Sequence, residues 1–593
     1  MGFIGWGPAA VLATALACRM AGAGAVQPPV VQTALEALQL RGALLGATGR
    51  SAPGVRLTRL DPDRPRLGDW DLSANLAPLR PWQRRQGYAI RRQPGQPPEV
   101  AALSPEGLAF GLAHLTGLLR AASGGGARFD LPPDARLFEA PAIEERGEYL
   151  NIGYDIPPIT PHTWDAARWR AYIDQLALAR LNRFYFFLWG SDVTAWPGSR
   201  LSRTETSRRL FRELPGAIRY AQRRGLKVVL MLGPTLIPRD IYDLHPDWHA
   251  DIEYARHGFP VVCPNHPEAW KAITAALRAQ LDRLRAVDAV QVWFYDPGGC
   301  WCEARGCKQG QAASLARQVR EFARLFRRVN QRGGLEVNLW PVAIWEREQK
   351  VEVRKPLVQA LRRDFRSSWR GITMVGTAEE GPTPTPRWEK EQGFRTGLFI
   401  FAANPESGYS FLTPHLRYMP WSARVARDFD VDACFGHRLE AWTRLPATAL
   451  MAQWLWNPDL EPSEAVRRLS CSLTGDDRAG AALARAIMLL DRITDDGATP
   501  ELAGPLRVAA AEAWPLAAPG LLSEIEYLPA TLEAVAGIAE SAGAAPEAMA
   551  RYEARFAEVL RRSPTFASLA ADAPGTFRRY RGMLLPGWRN RMF

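Results

Sequence analysis

The segment VWFYDPGGCWCEARGC, residues 292–307, combines side chains that can do two kinds of chemistry. Asp296 ends an apolar, aromatic run and can act as a general acid or base. Cys300, Cys302 and Cys307 follow in the same segment and can form disulfides or bind a metal ion. Which chemistry applies depends on where this segment lies in the fold.

A fourth cysteine, Cys263, belongs to the earlier loop FPVVCPNHPE. Four thiolates could hold a tetrahedral zinc ion, and two disulfides would suit an exported protein. Because C-x-C-x4-C is not a common zinc spacing, disulfides are the favoured prediction, with a structural zinc ion and free thiols as alternatives. Zinc bound by four thiolates has no open coordination position, so we predict no catalytic metal and no other cofactor.

Other carboxylates and polar or aromatic side chains follow similar apolar runs elsewhere in the chain. The carboxylates that could act together with Asp296 are Glu346, Glu379 and Glu380. The side chains that could bind a substrate are Tyr154, Asp155, Trp189, Trp345, Asn404, His437, Arg438 and Glu440. Structural interpretations stay open, since Asp296 precedes a Pro-Gly-Gly turn, Glu346 begins a charged run, and His437 could be a core histidine.

These candidates must be positioned by a repeating pattern of strands and helices between residues 146 and 460. Amphipathic helical stretches follow the apolar runs EYLNIGYDI, RFYFFLWG, KVVLMLGP, AVQVWFYD, EVNLWPVAIW, GITMVGTAEE, TGLFIFAAN and VDACFGHRLEAW. Near-continuous apolar strands that alternate with helices predict a parallel sheet, and eight units of this length fit a (β/α)8 TIM barrel. An open doubly wound sheet is disfavoured because no glycine-rich phosphate-binding segment follows the first strand. A barrel would bring the candidates together at the carboxyl ends of its strands.

The remaining segments predict the domain organisation. Residues 1–25 have the apolar run and small-residue spacing of a secretory signal, which predicts export to the periplasm or the medium. A lipid anchor on Cys18 is a less favoured alternative. Residues 26–140 are predicted to form a small α/β domain, residues 146–460 the barrel, and residues 461–593, rich in Ala, Leu and Arg, a helical domain.

Composition narrows the classes of partner. The net charge is +12, but the arginines are spread over helix-like segments without a Lys/Arg block or a nucleic-acid-binding motif. We therefore predict no nucleic-acid partner and, in the absence of a long apolar segment after the signal, no membrane span. The 21 tryptophans suit the stacking of sugar rings, although tryptophan is also a common core residue. No prediction of oligomeric state follows from the sequence.

Several segments resemble glycoside hydrolases. YAIRRQPGQPPEVAALSPEGLAFGLAHLTGLL resembles the small α/β domain that precedes the barrel in families 20, 67 and 84. WRAYIDQLALARLNRFYFF resembles their first barrel helix and second strand, and CPNHPEAWKAI and GHRLEAWTRLPATALMAQWLWNP resemble bacterial relatives of family 67 α-glucuronidases. The resemblance covers most of residues 88–458 and implies a carbohydrate-active TIM barrel. Family 20 ends strand four with an Asp-Glu pair, whereas this chain has FYDPGG, so the adjacent glutamate is absent.

Together these observations predict an exo-glycosidase that cleaves a poly- or oligosaccharide, including one that contains uronic acid, with a pair of carboxylates. Asp296 would be the general acid, and Glu380 or Glu379 its partner, with Glu346 in reserve. The alternative is a barrel that binds carbohydrate without catalysis, which the missing Asp-Glu pair motivates.

Overall fold

The computed structural model describes residues 28–45, 54–122, 127–152, 161–188, 194–252, 260–294, 299–365, 373–377, 385–401, 414–438, 445–496, 498–513, 528–542, 544–562, 574–575, 577–578 and 581. The described chain divides into two compact units. One unit takes residues from Met1–Pro141, Val466–Arg485 and Glu512–Ser523, and the other takes residues from Ala142–Ala465, Ala486–Ala511 and Glu524–Phe593.

The first unit is built around a small mixed sheet. Its helices within the first 141 residues are α1 (Pro29–Leu45), α2 (Ser73–Leu76), α3 (Pro81–Gln86) and α4 (Pro105–Gly117). Its strands there are β1 (Arg56–Arg59), β2 (Arg66–Leu67), β3 (Trp70–Asp71), β4 (Tyr88–Arg91), β5 (Glu99–Ala102), β6 (Leu119–Ala121), β7 (Ala127–Phe129) and β8 (Arg136–Glu139). The sheet order is β1-β5-β4-β8, in which β4 and β5 form the antiparallel pair around a proline-containing turn.

Local sequence explains where α4 begins. The Ser104 hydroxyl accepts a hydrogen bond from the Gly107 backbone N–H at 3.0 Å, and Pro105 occupies the first turn, where no backbone donor is needed. The buried face of α4 includes Leu108, Leu112 and Leu115. Residues 88–117 thus form a strand, a proline-containing turn, a second strand and a helix, in that order.

The second unit contains a closed parallel sheet of eight strands. The strands are β9 (Glu145–Asn151), β10 (Arg183–Leu188), β11 (Lys227–Leu232), β12 (Ala289–Trp293), β13 (Gly334–Asn338), β14 (Thr373–Thr377), β15 (Arg395–Phe401) and β16 (Ala433–Arg438). Each strand pairs in parallel with the next, and β16 pairs with β9. The predicted mixed α/β class with a parallel sheet is confirmed.

Helices alternate with these strands. They are α5 (Ala166–Leu178), α6 (Glu205–Arg223), α7 (Arg239–Tyr242), α8 (Pro267–Arg283), α9 (Gln311–Val329), α10 (Trp340–Gln349), α11 (Arg354–Phe365), α12 (Thr385–Glu391), α13 (Tyr418–Asp428) and α14 (Leu445–Trp456). Short 3-10 helices cover Pro161–Thr163, Leu201–Arg203 and Pro246–Trp248. Asp165 begins α5 by accepting the Arg168 N–H at 2.8 Å, as expected for a short polar residue at a helix start.

The sheet interior is packed with side chains rather than open. Tyr185 stacks on Phe435 with ring centroids 4.1 Å apart, and they belong to a cluster of buried apolar residues that includes side chains from four other strands. Gly147 is required beside Tyr185, because a Cβ atom there would lie 2.6 Å from the tyrosine ring. This close approach lets the large aromatic side chains fill the interior.

Beyond residue 461 the described chain is helical, as α15 (Pro462–Thr474), α16 (Asp477–Asp496), α17 (Pro500–Ala513), α18 (Leu528–Glu540) and α19 (Pro546–Arg561). The sequence predicts one separate domain here, and that division stays a prediction. In none of the helices that the structure describes is there an apolar stretch long enough for a membrane span.

One predicted element is wrong. The sequence predicts that strand five continues through EVNLWPVAIW to Trp345, but β13 ends at Asn338 and α10 begins at Trp340. The Asn338 carboxamide oxygen accepts the Trp340 N–H at 3.0 Å, and Pro341 lies in the first turn of the helix. Both features start a helix and interrupt a strand. Trp345 and Glu346 therefore lie in a helix and not at a strand end.

Candidate active site at the carboxyl ends of the strands

An aromatic cluster lies towards the carboxyl ends of the closed sheet. Trp293 is the last residue of β12, and its ring is 5.7 Å from Phe187, 5.3 Å from Phe399 and 5.7 Å from Trp340. Trp293 is 3% exposed, whereas Trp340, just after β13, is half-buried. Trp340 is thus an aromatic surface, supported by buried rings, that a ligand at this end could contact.

Polar side chains inside the sheet form a continuous chain from the amino ends towards the carboxyl ends. Arg183 forms ion pairs with both Glu145 and Glu336. The second oxygen of Glu336 accepts a hydrogen bond from Gln291 Nε2 at 2.7 Å, and Asn338 Nδ2 donates to Gln291 Oε1 at 3.2 Å. All five residues are buried, so this chain orders the interior of the sheet.

The charges of this chain compensate one another. Burial by itself would raise the pKa of Glu145, but the nearby charges of Arg183, Arg395 and Lys227 outweigh it and lower the pKa to about 2. Burial raises the pKa of the Tyr185 hydroxyl, which accepts a hydrogen bond from Arg183 at 3.1 Å. Glu145 is the first residue of β9 and Arg183 the first of β10, so these charges lie at the end of the sheet opposite the candidate site. The ion pairs therefore compensate buried charge at the end of the sheet where active sites of such folds do not form.

Glu346, the reserve carboxylate, has the contacts of a structural residue. Its Oε1 accepts the backbone N–H groups of Val353 at 2.7 Å and Arg354 at 2.5 Å, where α11 begins. Its Oε2 lies 3.5 Å from the Arg354 guanidinium. Both oxygens are therefore engaged in holding the start of a helix.

Trp345, a predicted substrate-binding residue, is only 3% exposed. Its ring centroid lies 6.4 Å from that of Phe294, and a Cβ atom built on Gly299 would be 3.4 Å from it. Trp345 thus packs beneath the chain on both sides of residues 295–298. Its predicted role in substrate binding stays a prediction.

Most of the predicted site residues lie outside the described residues. These are Asp296, Glu379, Glu380, Tyr154, Asp155, Trp189, Asn404 and Glu440. The backbone of His437 and Arg438 is described as part of β16, with His437 in register with Tyr149 and Arg438 in register with Leu150. The predicted roles of all ten residues stay predictions.

The structure brings the four cysteines of the two loops together. Cys263 follows β11, while Cys300, Cys302 and Cys307 follow β12, and all four sulfur atoms lie within 4.8 Å of one another. Cys263 Sγ is 3.8 Å from Cys302 Sγ and 3.5 Å from Cys307 Sγ. A disulfide requires a sulfur–sulfur distance of about 2.05 Å, and all four of these cysteines are free thiols. The favoured prediction that they form disulfides is therefore wrong.

Neighbouring thiols also shift one another's proton affinity. Hydrogen bonds with Cys300, which has the larger effect, and with Cys307 lower the pKa of the Cys263 thiol. Hydrogen bonds with Cys263, which has the larger effect, and with Cys300 raise the pKa of the Cys307 thiol.

Two residues at this end of the sheet were not among the predicted site residues, Asn338 and Trp340. Both belong to the predicted fifth strand, and the proline that follows Trp340 was the sequence signal that could have placed them at a strand end. Asn338 is fully buried, so its amide positions neighbouring groups, whereas Trp340 is partly accessible.

Comparisons with known proteins support the fold. Neither a protein-family model nor a curated protein sequence matches the chain. Solved structures do match, although their sequence identity is low. A GH138 enzyme targeting pectin rhamnogalacturonan II has a TM-score of 0.54 at 12% identity, with 95% of this chain and 91% of that one covered.

Two further structures cover nearly the whole chain. The Flavobacterium johnsoniae chitobiase, a GH20 protein, has a TM-score of 0.51 at 12% identity, covering 97% of this chain and 90% of its own. A GH115 4-O-methyl-α-glucuronidase with specificity for decorated arabinogalactans has a TM-score of 0.55 at 11% identity, covering 95% and 77%. This chain shares the fold of these glycoside hydrolases, and the predicted resemblance to the family 20 group is confirmed at the level of the fold.

Proposed function

We propose that this protein is a glycoside hydrolase whose active site lies at the carboxyl ends of β9–β16. The observation that carries the proposal is the position of β12, the fourth strand of a closed parallel sheet. β12 ends at Trp293 in an aromatic cluster, and Asp296 follows three residues later. Active sites of (β/α)8 barrels form at this end, and the glycoside hydrolases that share the fold support the choice of chemistry.

In this proposal the unit that contains β9–β16 is the catalytic TIM barrel. The predicted small α/β domain of residues 26–140 precedes it, and the predicted helical domain of residues 461–593 follows it. The predicted signal of residues 1–25 would be removed on export. Residues of the barrel therefore supply the chemistry, and the other two parts would contribute stability or substrate access.

The proposed mechanism uses two carboxylates. Asp296 protonates the glycosidic oxygen, and Glu380 or Glu379, which follow β14, acts as the nucleophile or as the base that activates water. A carboxyl separation of about 5–5.5 Å would give retention of configuration, and about 6.5–9.5 Å would give inversion. Trp340, which was not among the residues predicted from the sequence to bind substrate, adds an aromatic face for the sugar ring.

The proposed substrate is a poly- or oligosaccharide with a terminal sugar that the enzyme removes, and a uronic acid is the favoured sugar. Arg438 and His437 follow one another at the end of β16 and would bind its carboxylate, because arginine binds carboxylates in a bidentate manner. A glucuronidase among the proteins with this fold is consistent with that choice.

The test is hydrolysis of a panel of nitrophenyl glycosides and uronides by wild type and by Asp296→Asn. The matched control is Asp282→Asn, since Asp282 is exposed on α8. We expect turnover by wild type and the control, and a loss of about 10²–10⁴-fold in Asp296→Asn, the usual contribution of a general acid. Equal turnover by Asp296→Asn and wild type would refute the assignment. Sugar binding without turnover, on natural polysaccharides as well, would establish the non-catalytic alternative.

A further inference from the structure

We propose that Cys263, Cys300, Cys302 and Cys307 bind one structural zinc ion as four thiolates. This inference goes beyond the proposed function and does not depend on it. The chemistry follows from the ligand set, because four thiolates in a tetrahedral arrangement favour Zn²⁺ among the available divalent cations.

The sulfur positions fit a tetrahedral ion. A zinc–sulfur bond of about 2.3 Å places the ligands of a tetrahedron about 3.8 Å apart. The distances from Cys263 Sγ are 3.8 Å to Cys302 Sγ and 3.5 Å to Cys307 Sγ, and no pair among the four exceeds 4.8 Å. These separations are too long for disulfides and close to the edges of a zinc tetrahedron.

The surroundings suit bound thiolates. The backbone N–H of Asp251 donates to Cys300 Sγ at 3.4 Å. N–H donors directed at sulfur stabilise thiolates, because they offset the negative charge that four thiolates leave on the complex. They are the supporting contacts that metal ligands usually receive.

The burial of the cysteines and their few apolar neighbours are a further observation. Cys263, Cys300 and Cys307 are each at most 2% exposed, and the apolar contacts of the cluster within the described chain are confined to Ala250 and the cysteines themselves. Small thiols provide little apolar surface to hold two loops together. A metal ion supplies the missing attraction and explains why four of them converge.

The ion would join two loops of the barrel. Cys263 comes from the loop between α7 and α8, and the other three come from the loop between β12 and α9. Residues 303–310 of the latter loop form turns. Because four thiolates fill the coordination sphere, this zinc ion activates no water and has a structural role.

The first measurement is the metal content of the untagged full-length protein, purified without chelator. We expect about one zinc ion per chain, with X-ray absorption showing about four sulfur atoms at about 2.3 Å. Zinc content should fall to background in Cys302→Ser and in Cys263→Ser, and stay unchanged in Cys471→Ala, which removes a buried cysteine outside the cluster.

A second measurement on the wild type keeps the test valid if the variants fail to fold. A chelator should make the four cluster thiols reactive towards a thiol reagent, each zinc ion removed should expose four of them, and the melting temperature should fall. Cobalt added after zinc removal should give the strong visible absorption of a tetrahedral thiolate complex. Protein without metal, thiols that are already paired as disulfides, or iron in place of zinc would each overturn the proposal.

Discussion

The buried carboxylate of Glu145 should make a measurable, pH-dependent contribution to stability. Burial raises the pKa of Glu145, but the charges of Arg183, Arg395 and Lys227 outweigh burial and lower the pKa from 4.5 to about 2 in the folded protein. A difference of about 2.5 pH units, at about 1.36 kcal/mol each, corresponds to about 3 kcal/mol. The side chain is only 5% exposed, so solvent screening reduces this value little.

The sign follows from proton binding. The unfolded chain binds a proton at Glu145 at a higher pH than the folded chain does, so stability increases with pH across this window. The contribution is complete above about pH 4.5 and is lost as the pH falls towards about 2. Glu145→Gln removes the charge at every pH, and therefore removes this dependence.

The assay is urea-induced unfolding of wild type and Glu145→Gln at several pH values between 2 and 7. We expect the variant to be about 3 kcal/mol less stable at pH 7, and the difference to shrink towards zero near pH 2. The control is Glu268→Gln. The exposed Glu268 carboxylate lies 3.8 Å from Lys271 Nζ, and its loss should change stability by less than about 0.5 kcal/mol. A wild type–variant difference that is constant across the pH range would refute the reasoning.

Three further predictions concern other described residues. Glu346→Gln should lower the free energy of unfolding by about 0.5–2 kcal/mol, because it weakens the contacts at the start of α11. Turnover should stay unchanged, and reduced turnover at unchanged stability would restore the predicted catalytic role of Glu346. Trp345→Ala should lower the free energy of unfolding in urea by about 3–5 kcal/mol, because the ring is buried. Trp340→Ala should lose less stability and should raise KM, because this ring is partly accessible. A KM for Trp340→Ala equal to that of the wild type would argue against a sugar contact at Trp340. Cys434 should resist alkylation by iodoacetamide until the protein unfolds, because burial raises the pKa of its thiol, and rapid labelling of the native protein, located by mass spectrometry, would contradict its placement.

The repeating pattern was sufficient to predict the parallel sheet, because strands buried on both faces are recognisable as apolar runs. It was insufficient to place the ends of those runs. β9 begins at Glu145, three residues before the predicted EYLNIGYDI, and there the Glu145 carboxylate forms an ion pair with Arg183 inside the sheet. β13 ends early because an apolar run such as LWPVAIW fits a helix as well as a strand, and only Asn338 and Pro341 decide between them.

The buried charges were not predictable from single strands. Arg183, Glu145 and Glu336 come from three strands separated in sequence, and only the closed sheet brings them into contact. Periodicity shows that a polar residue lies on one face, but not which residue of another strand faces it. The cysteine geometry has the same origin, since Cys263 reaches its partners only after two loops meet.

Two described residues, Trp293 and Cys300, flank the segment that carries Asp296 in the sequence. On its amino side β12 ends at Trp293, which is fixed by contacts with Phe187 and Phe399. On its carboxyl side Cys300 follows four residues later, and the proposed zinc ion would fix that cysteine. If both constraints orient the carboxylate, zinc removal should lower kcat without changing which sugar is cleaved, because the carboxylate would be misplaced while the binding residues on other strands stay in position. If turnover survives zinc removal, the strand end alone orients Asp296, and the metal serves only stability.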